Sequence, residues 1–274
     1  MDDQADVPAT SYRRLPLRST VAVAAGLATV TVLAWIFTMR KADSMSGMVM
    51  GLGHIGRAMR MPMPSWSFMS MWAVMMVAMM APTIAPVMLA HRSLRTSDER
   101  GLGSTAALVA GYFAVWCLLG VLYFGAFVWF HDLSPSAGDS RSLPALAGSI
   151  LVLAGSYQFT SRKAQCLRAC CRPFAASQRG GRAGVADGFR TGWSHGLDCL
   201  GCCWAAMLVL VVVGLMNVVW MLALSLLFLV EKHSPRALTL SRVVGVALVV
   251  LGLAVMIHPT LLHTVSGTLA NAPS

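Results

Sequence analysis

Charge is what this sequence has least of. Only 12% of its 274 residues are Asp, Glu, Lys or Arg, while 57% are hydrophobic, and soluble domains carry about 25% charged residues. A chain of this length folded in water needs a charged skin, so a water-soluble globular protein is excluded. Acidic residues are scarcer still, 11 against 21 basic ones. The resulting charge of +10 raises nucleic acid as a partner. The basic residues sit in the connections between apolar runs, however, which makes them topology markers and leaves no nucleic-acid partner. The usual words of enzyme chemistry are also missing. Gly180, Gly181 and Gly184 lie in a basic loop, follow no strand and lack the lysine and hydroxyl of a P-loop. No Cys-x-x-Cys-His haem attachment occurs, and no Ser, His and Asp arrangement makes a hydrolase triad. No catalytic residue is assigned.

What the sequence has instead is apolar runs close to the roughly 20 residues that cross a bilayer as a helix. They lie near Ser19–Met39, Trp66–Leu89, Ser104–Phe130, Leu143–Ser161, Trp193–Gly214, Val218–Val230 and Leu240–Ile257. The first is longer than the roughly 7–15 residues of a signal-peptide core, and no small-x-small cleavage site follows it. It therefore reads as a retained helix. The fold expected is all-α, a polytopic transmembrane bundle of about seven helices, with the fifth and sixth forming a tight hairpin around Gly214-Leu-Met-Asn217. An N-terminus inside and a C-terminus outside puts sixteen basic residues in the cytoplasm and five outside, as the positive-inside rule favours. The rival arrangement fuses the fifth and sixth helices into one span. Three regions follow: a basic cytoplasmic tail over 1–18, a transmembrane domain over 19–258 with a cysteine-containing cytoplasmic loop at 162–192, and an external tail over 259–274.

Three clusters within this frame are chemically unusual. Cys199, Cys202 and Cys203 start the fifth apolar run, and positions i, i+3 and i+4 share a helix face. Their thiolates would favour copper(I) first and zinc second, with His195 and Asp198 close enough in sequence to add a ligand. Cys166, Cys170 and Cys171 end the fourth run on the same expected side, and Cys117 stands alone as packing. Methionine, 19 residues in all, forms the third cluster. Met75 with Met79, and Met76 with Met80, make a thioether stripe, below which Pro82 and Pro86 are expected to kink the helix. The following soft ligands crowd the first external loop: Met48, Met50, His54, Met61 and Met63, with Met45 and Met59. The plainer alternatives are hydrophobic packing of sulfur and acylation of juxtamembrane cysteines. Methionine and histidine outside, with cysteine inside where thiols stay reduced, is the order a soft-cation pathway would use. An odd number of cysteines, none of them external, speaks against a disulfide framework. Glu231 and Lys232, at the end of the sixth run, are expected either to pair or to anchor at the interface. Trp66, Trp72, Trp129 and Trp220 are expected at the interface or in packing.

Several of these words stand in register with one bacterial family. They are Met71-Trp72-Ala-Val-Met75-Met76-Val-Ala-Met79-Met80-Ala-Pro82, Tyr157-Gln158 followed by Lys163-Ala-Gln-Cys166-Leu-Arg-Ala-Cys170, Gly196-Leu-Asp-Cys199-Leu-Gly-Cys202-Cys203-Trp204, Gly214-Leu-Met216-Asn217 and Glu231-Lys232. Over roughly residues 66–258 the chain resembles the predicted metal-binding integral membrane proteins, catalogued as a domain of unknown function and sometimes labelled copper chaperones. Cys171 is an extra cysteine beside that family's usual pair. The resemblance implies a multi-pass protein of the bacterial inner (cytoplasmic) membrane that handles copper, with a metallochaperone or a copper enzyme as partner besides the lipid bilayer. Three classes of function stay open: copper(I) handling as carrier, chaperone or accessory; a membrane thiol redox protein; and a structural or assembly subunit of a membrane complex.

Overall fold

The structure is a computed structural model and describes residues 17–45, 64–94, 99–133, 143–172, 184–215 and 217–267. Apart from short non-helical stretches such as 158–160, 234–236 and 258–259, these residues are helical, with no strand among them. A bilayer core offers no water to backbone N–H and C=O groups, and a helix satisfies them within the segment. In chain order the helices are α1 (Leu17–Met45), α2 (Ser65–Leu94), α3 (Glu99–Leu133), α4 (Leu143–Tyr157), α5 (Ser161–Cys170), α6 (Val185–Val213), α7 (Val218–His233), α8 (Ala237–Ile257) and α9 (Thr260–Gly267).

Every apolar run is helical where expected, but not every run is long enough to span. Among the described residues five helices are long and apolar enough, namely α1, α2, α3, α6 and α8. The fourth run breaks after Tyr157, and α5 leaves at 65° to α4, so the bent pair makes at most a sixth span. At 16 residues and 1.5 Å per residue, α7 reaches only about 24 Å, against a hydrocarbon core of about 30 Å. Five spans, or six with the bent pair, thus meet the length requirement where seven were expected. α2 runs as one helix through Pro82 and Pro86.

The fused fifth and sixth span does not occur. Gly214 takes φ 112°, a left-handed conformation that side chains avoid, and Asn217 caps the start of α7 by accepting from Trp220 N. Lys232 Nζ then reaches Cys199 Sγ at 2.9 Å. In one continuous helix those residues would stand about 50 Å apart.

The bundle is inverted relative to a soluble protein. Leu122, Leu153, Leu226, Val243 and Val250 face outward, while Lys163, Glu231 and His195 are buried. An outward apolar skin of this extent is stable against lipid tails and unstable in water. Together with the spans, it makes the chain a multi-pass membrane protein. Trp66 and Trp129 are both exposed, near the start of α2 and the end of α3, whereas Trp72 packs inside and donates Nε1–H to Trp116 O at 2.8 Å.

The closest pairing is α3 against α6. A Cβ on Gly192 would lie 1.9 Å from Leu108 O, and one on Gly188 would lie 2.2 Å from Ser104 O. Small residues let membrane helices approach backbone to backbone, and here they set the height of α6 against α3. α4 pairs with α8 in similar fashion, and α1 packs mainly along α2. Inside, Met75, Met76, Met79, Met80, Tyr112, Trp116, Cys199, Met221 and Phe228 form one continuous core.

Candidate metal centre

α6 begins at Val185, eight residues before the apolar run does. Cys199 is therefore the fifteenth residue of a 29-residue helix, not its first turn as the hydropathy pattern implied. Two short helices bring their ends to this level. α4 stops at Tyr157, whose hydroxyl donates to Gly201 O at 2.7 Å, and α7 descends from Gly214 until Glu231 and Lys232 stand beside Cys199.

α5 supplies the third side. Thr160 caps it by accepting from Lys163 N at 3.2 Å, and the bend after α4 turns its buried stripe, Lys163, Leu167 and Cys170, toward α6. These positions follow i, i+4, i+7, one face of a helix. Arg162 and Arg168 take the opposite, exposed face. A Cβ on Gly201 would meet Cys166 Sγ at 2.6 Å, so this glycine gives the Cys166 thiol its room.

The two cysteine clusters of the sequence meet here. Cys170 Sγ lies 3.8 Å from Cys202 Sγ, which shares one face of α6 with Cys199 and Cys203. All four residues are buried. The Cys202 and Cys203 thiols donate to Cys199 O at 3.1 and 2.8 Å. Cys199 Sγ is held differently, with Lys232 Nζ at 2.9 Å and the Tyr112 hydroxyl at 3.0 Å. Lys163 Nζ donates to Cys202 O and pairs with Glu231 Oε2 at 2.9 Å, both side chains being almost wholly buried. The other oxygen of that carboxylate, Oε1, has no hydrogen-bond partner among the described residues. Cys171, just past α5, is half-buried with its thiol directed at Glu231 O, 3.9 Å away. Burial pushes that thiol up from its ordinary value, and nearby Cys202 adds to the shift.

The remaining expected ligands fare unequally. His195 is buried one turn below Cys199 and stacks on the Tyr112 ring at 5.7 Å, while Asp198 is half-buried and acts electrostatically on Cys166. Met75, Met76, Met79 and Met80 are fully buried in the core. Met80 reaches toward the thiols through hydroxyls. Thr83 Oγ1 lies 4.0 Å from Met80 Sδ and 3.3 Å from the Tyr112 hydroxyl, which touches Cys199. Met48, Met50, His54, Met61 and Met63 lie outside the described residues. Cys117 is exposed on the bundle surface, away from the other cysteines.

Tyr112, Thr83 and Lys163 were not expected at the site, and Lys232, expected either to pair or to anchor at the interface, pairs with Cys199. Interfacial anchoring of Glu231 is corrected as well, since it is 2% exposed and ion-paired. The available signals were adjacent opposite charges at the end of an apolar helix and a lysine three residues before Cys166.

Among the described residues no set of three or more His, Cys, Asp or Glu side chains forms a preformed metal site. The geometry gives the reason. Two of the four thiols turn back on their own helix carbonyl, and Cys199 Sγ already holds an ammonium. The donors gathered here are nonetheless soft sulfur, the ligand type that copper(I) prefers.

No curated protein and no solved structure matches the chain significantly. A family model described as PpoB2, copper chaperone, matches residues 69–255. That stretch runs from the first turns of α2 to the last of α8 and includes both sulfur regions, so the chain belongs to the PpoB2 copper chaperone family.

Proposed function

We propose that this protein binds copper(I) as cargo within the bacterial inner membrane and passes it on, as carrier, chaperone or accessory to a copper enzyme. The observation that carries this reading is the contact of Cys170 on α5 with Cys202 on α6, beside Cys199 and Cys203, all four of them buried. Buried thiols at this density, linked through Tyr112 and Thr83 to a stripe of buried thioethers, form a run of soft ligands of graded strength. Cys199 and Cys170 are the strong ligands, Cys202 and Cys203 join by turning from the Cys199 carbonyl, and Met75, Met76, Met79 and Met80 serve as weak ligands. Cys166, Cys171, His195 and Asp198 border the cluster, and Met48, Met50, His54, Met61 and Met63 supply the outer entry. Zinc is the second candidate. The N-terminus lies inside and the C-terminus outside, as the basic residues of the connections favour. A soluble metallochaperone or a copper enzyme takes or gives the ion.

The test is the metal content of detergent-purified protein kept reduced and anaerobic, with Cys199, Cys202 and Cys203 changed together to Ser as control. Copper bound by the parent and lost from the triple variant is expected. Absence of bound metal from both proteins, after copper(I) and zinc have been offered, would refute the reading.

A thiol redox role is the second reading, supported by the 3.8 Å between Cys170 and Cys202 on different helices. Oxidation of that pair would release two protons and two electrons to a partner disulfide. A reproducible potential for the couple in metal-free protein would favour it.

A further inference from the structure

Cys199 Sγ is contacted from two other helices, accepting from Lys232 Nζ of α7 at 2.9 Å and hydrogen-bonded to the Tyr112 hydroxyl of α3 at 3.0 Å. A cation coming to this sulfur finds a cation already there. We propose that the Lys232 ammonium is a displaceable occupant of the Cys199 cation position, and that it makes this position selective for a monovalent soft cation over a divalent one. This rests on the metal-handling reading above and names a specificity-determining residue for it.

Two lysines touch the thiol cluster, and their surroundings assign them different tasks. Lys163 is 1% exposed and fixed by Glu231 Oε2 and Cys202 O, so it has nowhere to move and its charge is already matched. Lys232 is only partly buried and is the penultimate residue of α7. A four-carbon stem at such a place can carry its charged head from the sulfur to the surface while the stem stays on apolar groups.

Charge decides what can take its place. Burying an uncompensated charge is costly, and the groups around Cys199 leave little to absorb one. Glu231 is spent on Lys163, and Cys170, Cys202, Cys203 and Tyr112 have each a hydrogen-bonding contact within the cluster. A copper(I) or silver(I) ion arriving as the ammonium leaves replaces one positive charge by one. A zinc ion adds a second charge and requires about four ligands in a tetrahedron, so Cys202 and Cys203 must both turn from the Cys199 carbonyl and give up their protons before it is held, whereas the monovalent ion is held by Cys199 and Cys170 before either of them turns. The exchange is a ligand substitution at Cys199 in its thiolate form: the metal takes the sulfur lone pair that accepted from Nζ, the ammonium leaves with its protons, any further thiol that joins the ion gives its proton to water, and no electron moves.

The experiment uses the full chain in detergent, reduced and anaerobic, with silver(I) as the monovalent probe and zinc(II) as the divalent one, titrated separately and in competition. The parent is expected to prefer silver. Lys232→Met should shift the silver-to-zinc affinity ratio toward zinc by about tenfold or more, and Lys232→Arg, which keeps the charge, should retain the parental ratio. Lys232→Gln replaces the Met variant should that one not purify. An unchanged ratio without the charge, or the same shift in the Arg variant, overturns the proposal. Failure of the underlying reading has a different signature: silver bound to Cys199→Ser as tightly as to the parent, or no binding of either ion by the parent.

Discussion

Met75, Met76, Met79 and Met80 on α2 and Cys199, Cys202 and Cys203 on α6 are almost equally buried, yet their surroundings differ in kind. The thioethers sit in the core with Ile84, Trp116 and Met221, and Thr83 Oγ1 stands 4.0 Å from Met80 Sδ. The thiols sit where a lysine, a carboxylate, a phenol and backbone carbonyls converge. Equal burial therefore gives no measure of equal chemistry. A thioether is a neutral, adaptable filler that needs only volume, whereas each thiol is oriented by a hydrogen bond, and the groups that orient it need partners of their own. The methionine region should tolerate changes of shape at constant volume. The cysteine region should not tolerate the loss of one charge.

The sharpest way to break this comparison is Lys163→Met. It leaves Glu231 as an unpaired buried carboxylate and should cost about 3–5 kcal/mol, read as a lowered unfolding midpoint in detergent, while the double change Lys163→Met with Glu231→Leu should recover most of it. A single variant as stable as the parent would mean that the thiol region is not organised by this pair. Next in size, Met79→Ala should cost about 2–5 kcal/mol as a core cavity, and Met79→Leu less than about 1.5 kcal/mol. The leucine variant should load silver(I) more slowly despite its stability, and equal loading would reduce the stripe to packing. Tyr112→Phe should cost about 1 kcal/mol for its lost hydrogen bonds. It should also remove the energetic coupling between Met80 and Cys199 in a double-mutant cycle, the direct measure of whether the two regions communicate. The smallest effect belongs to Cys203→Ser, whose hydroxyl can still donate to Cys199 O. Its unfolding midpoint should stay within about 0.5 kcal/mol of the parent, and a larger loss would show that the sulfur, not the donor, matters there.

Several features were legible along the chain because they depend on local periodicity. The apolar runs located the helices, since backbone polar groups in a bilayer must be satisfied within each segment. The i, i+4 pairing of Cys166 with Cys170 put both on the face of α5 that meets α6. The extension of α6 back to Val185 was not legible, because the half-polar stretch before Trp193 falls below a hydropathy threshold. It is helical because Gly188 and Gly192 pack on α3, a contact made with residues some eighty positions earlier. The break at Gln158–Thr160 was equally hidden, since the residues on both sides favour a helix and only the docking of Lys163, Leu167 and Cys170 rewards the turn.

The sequence by itself determined that this chain lives in a membrane as a helical bundle, that its sulfur lies in distinct clusters, and that its motifs are those of one family. Those properties follow from composition and from spacing over a few turns. Only the tertiary structure decided that the cysteines of α5 and α6 face one another, that Lys163 belongs to Glu231 and Lys232 to Cys199, and that Tyr112 stands between the thiols and the thioethers. Adjacent residues on a helix point about 100° apart. Glu231 and Lys232 therefore had to part company, and which neighbour each would find was set by how α7 folds back at Gly214.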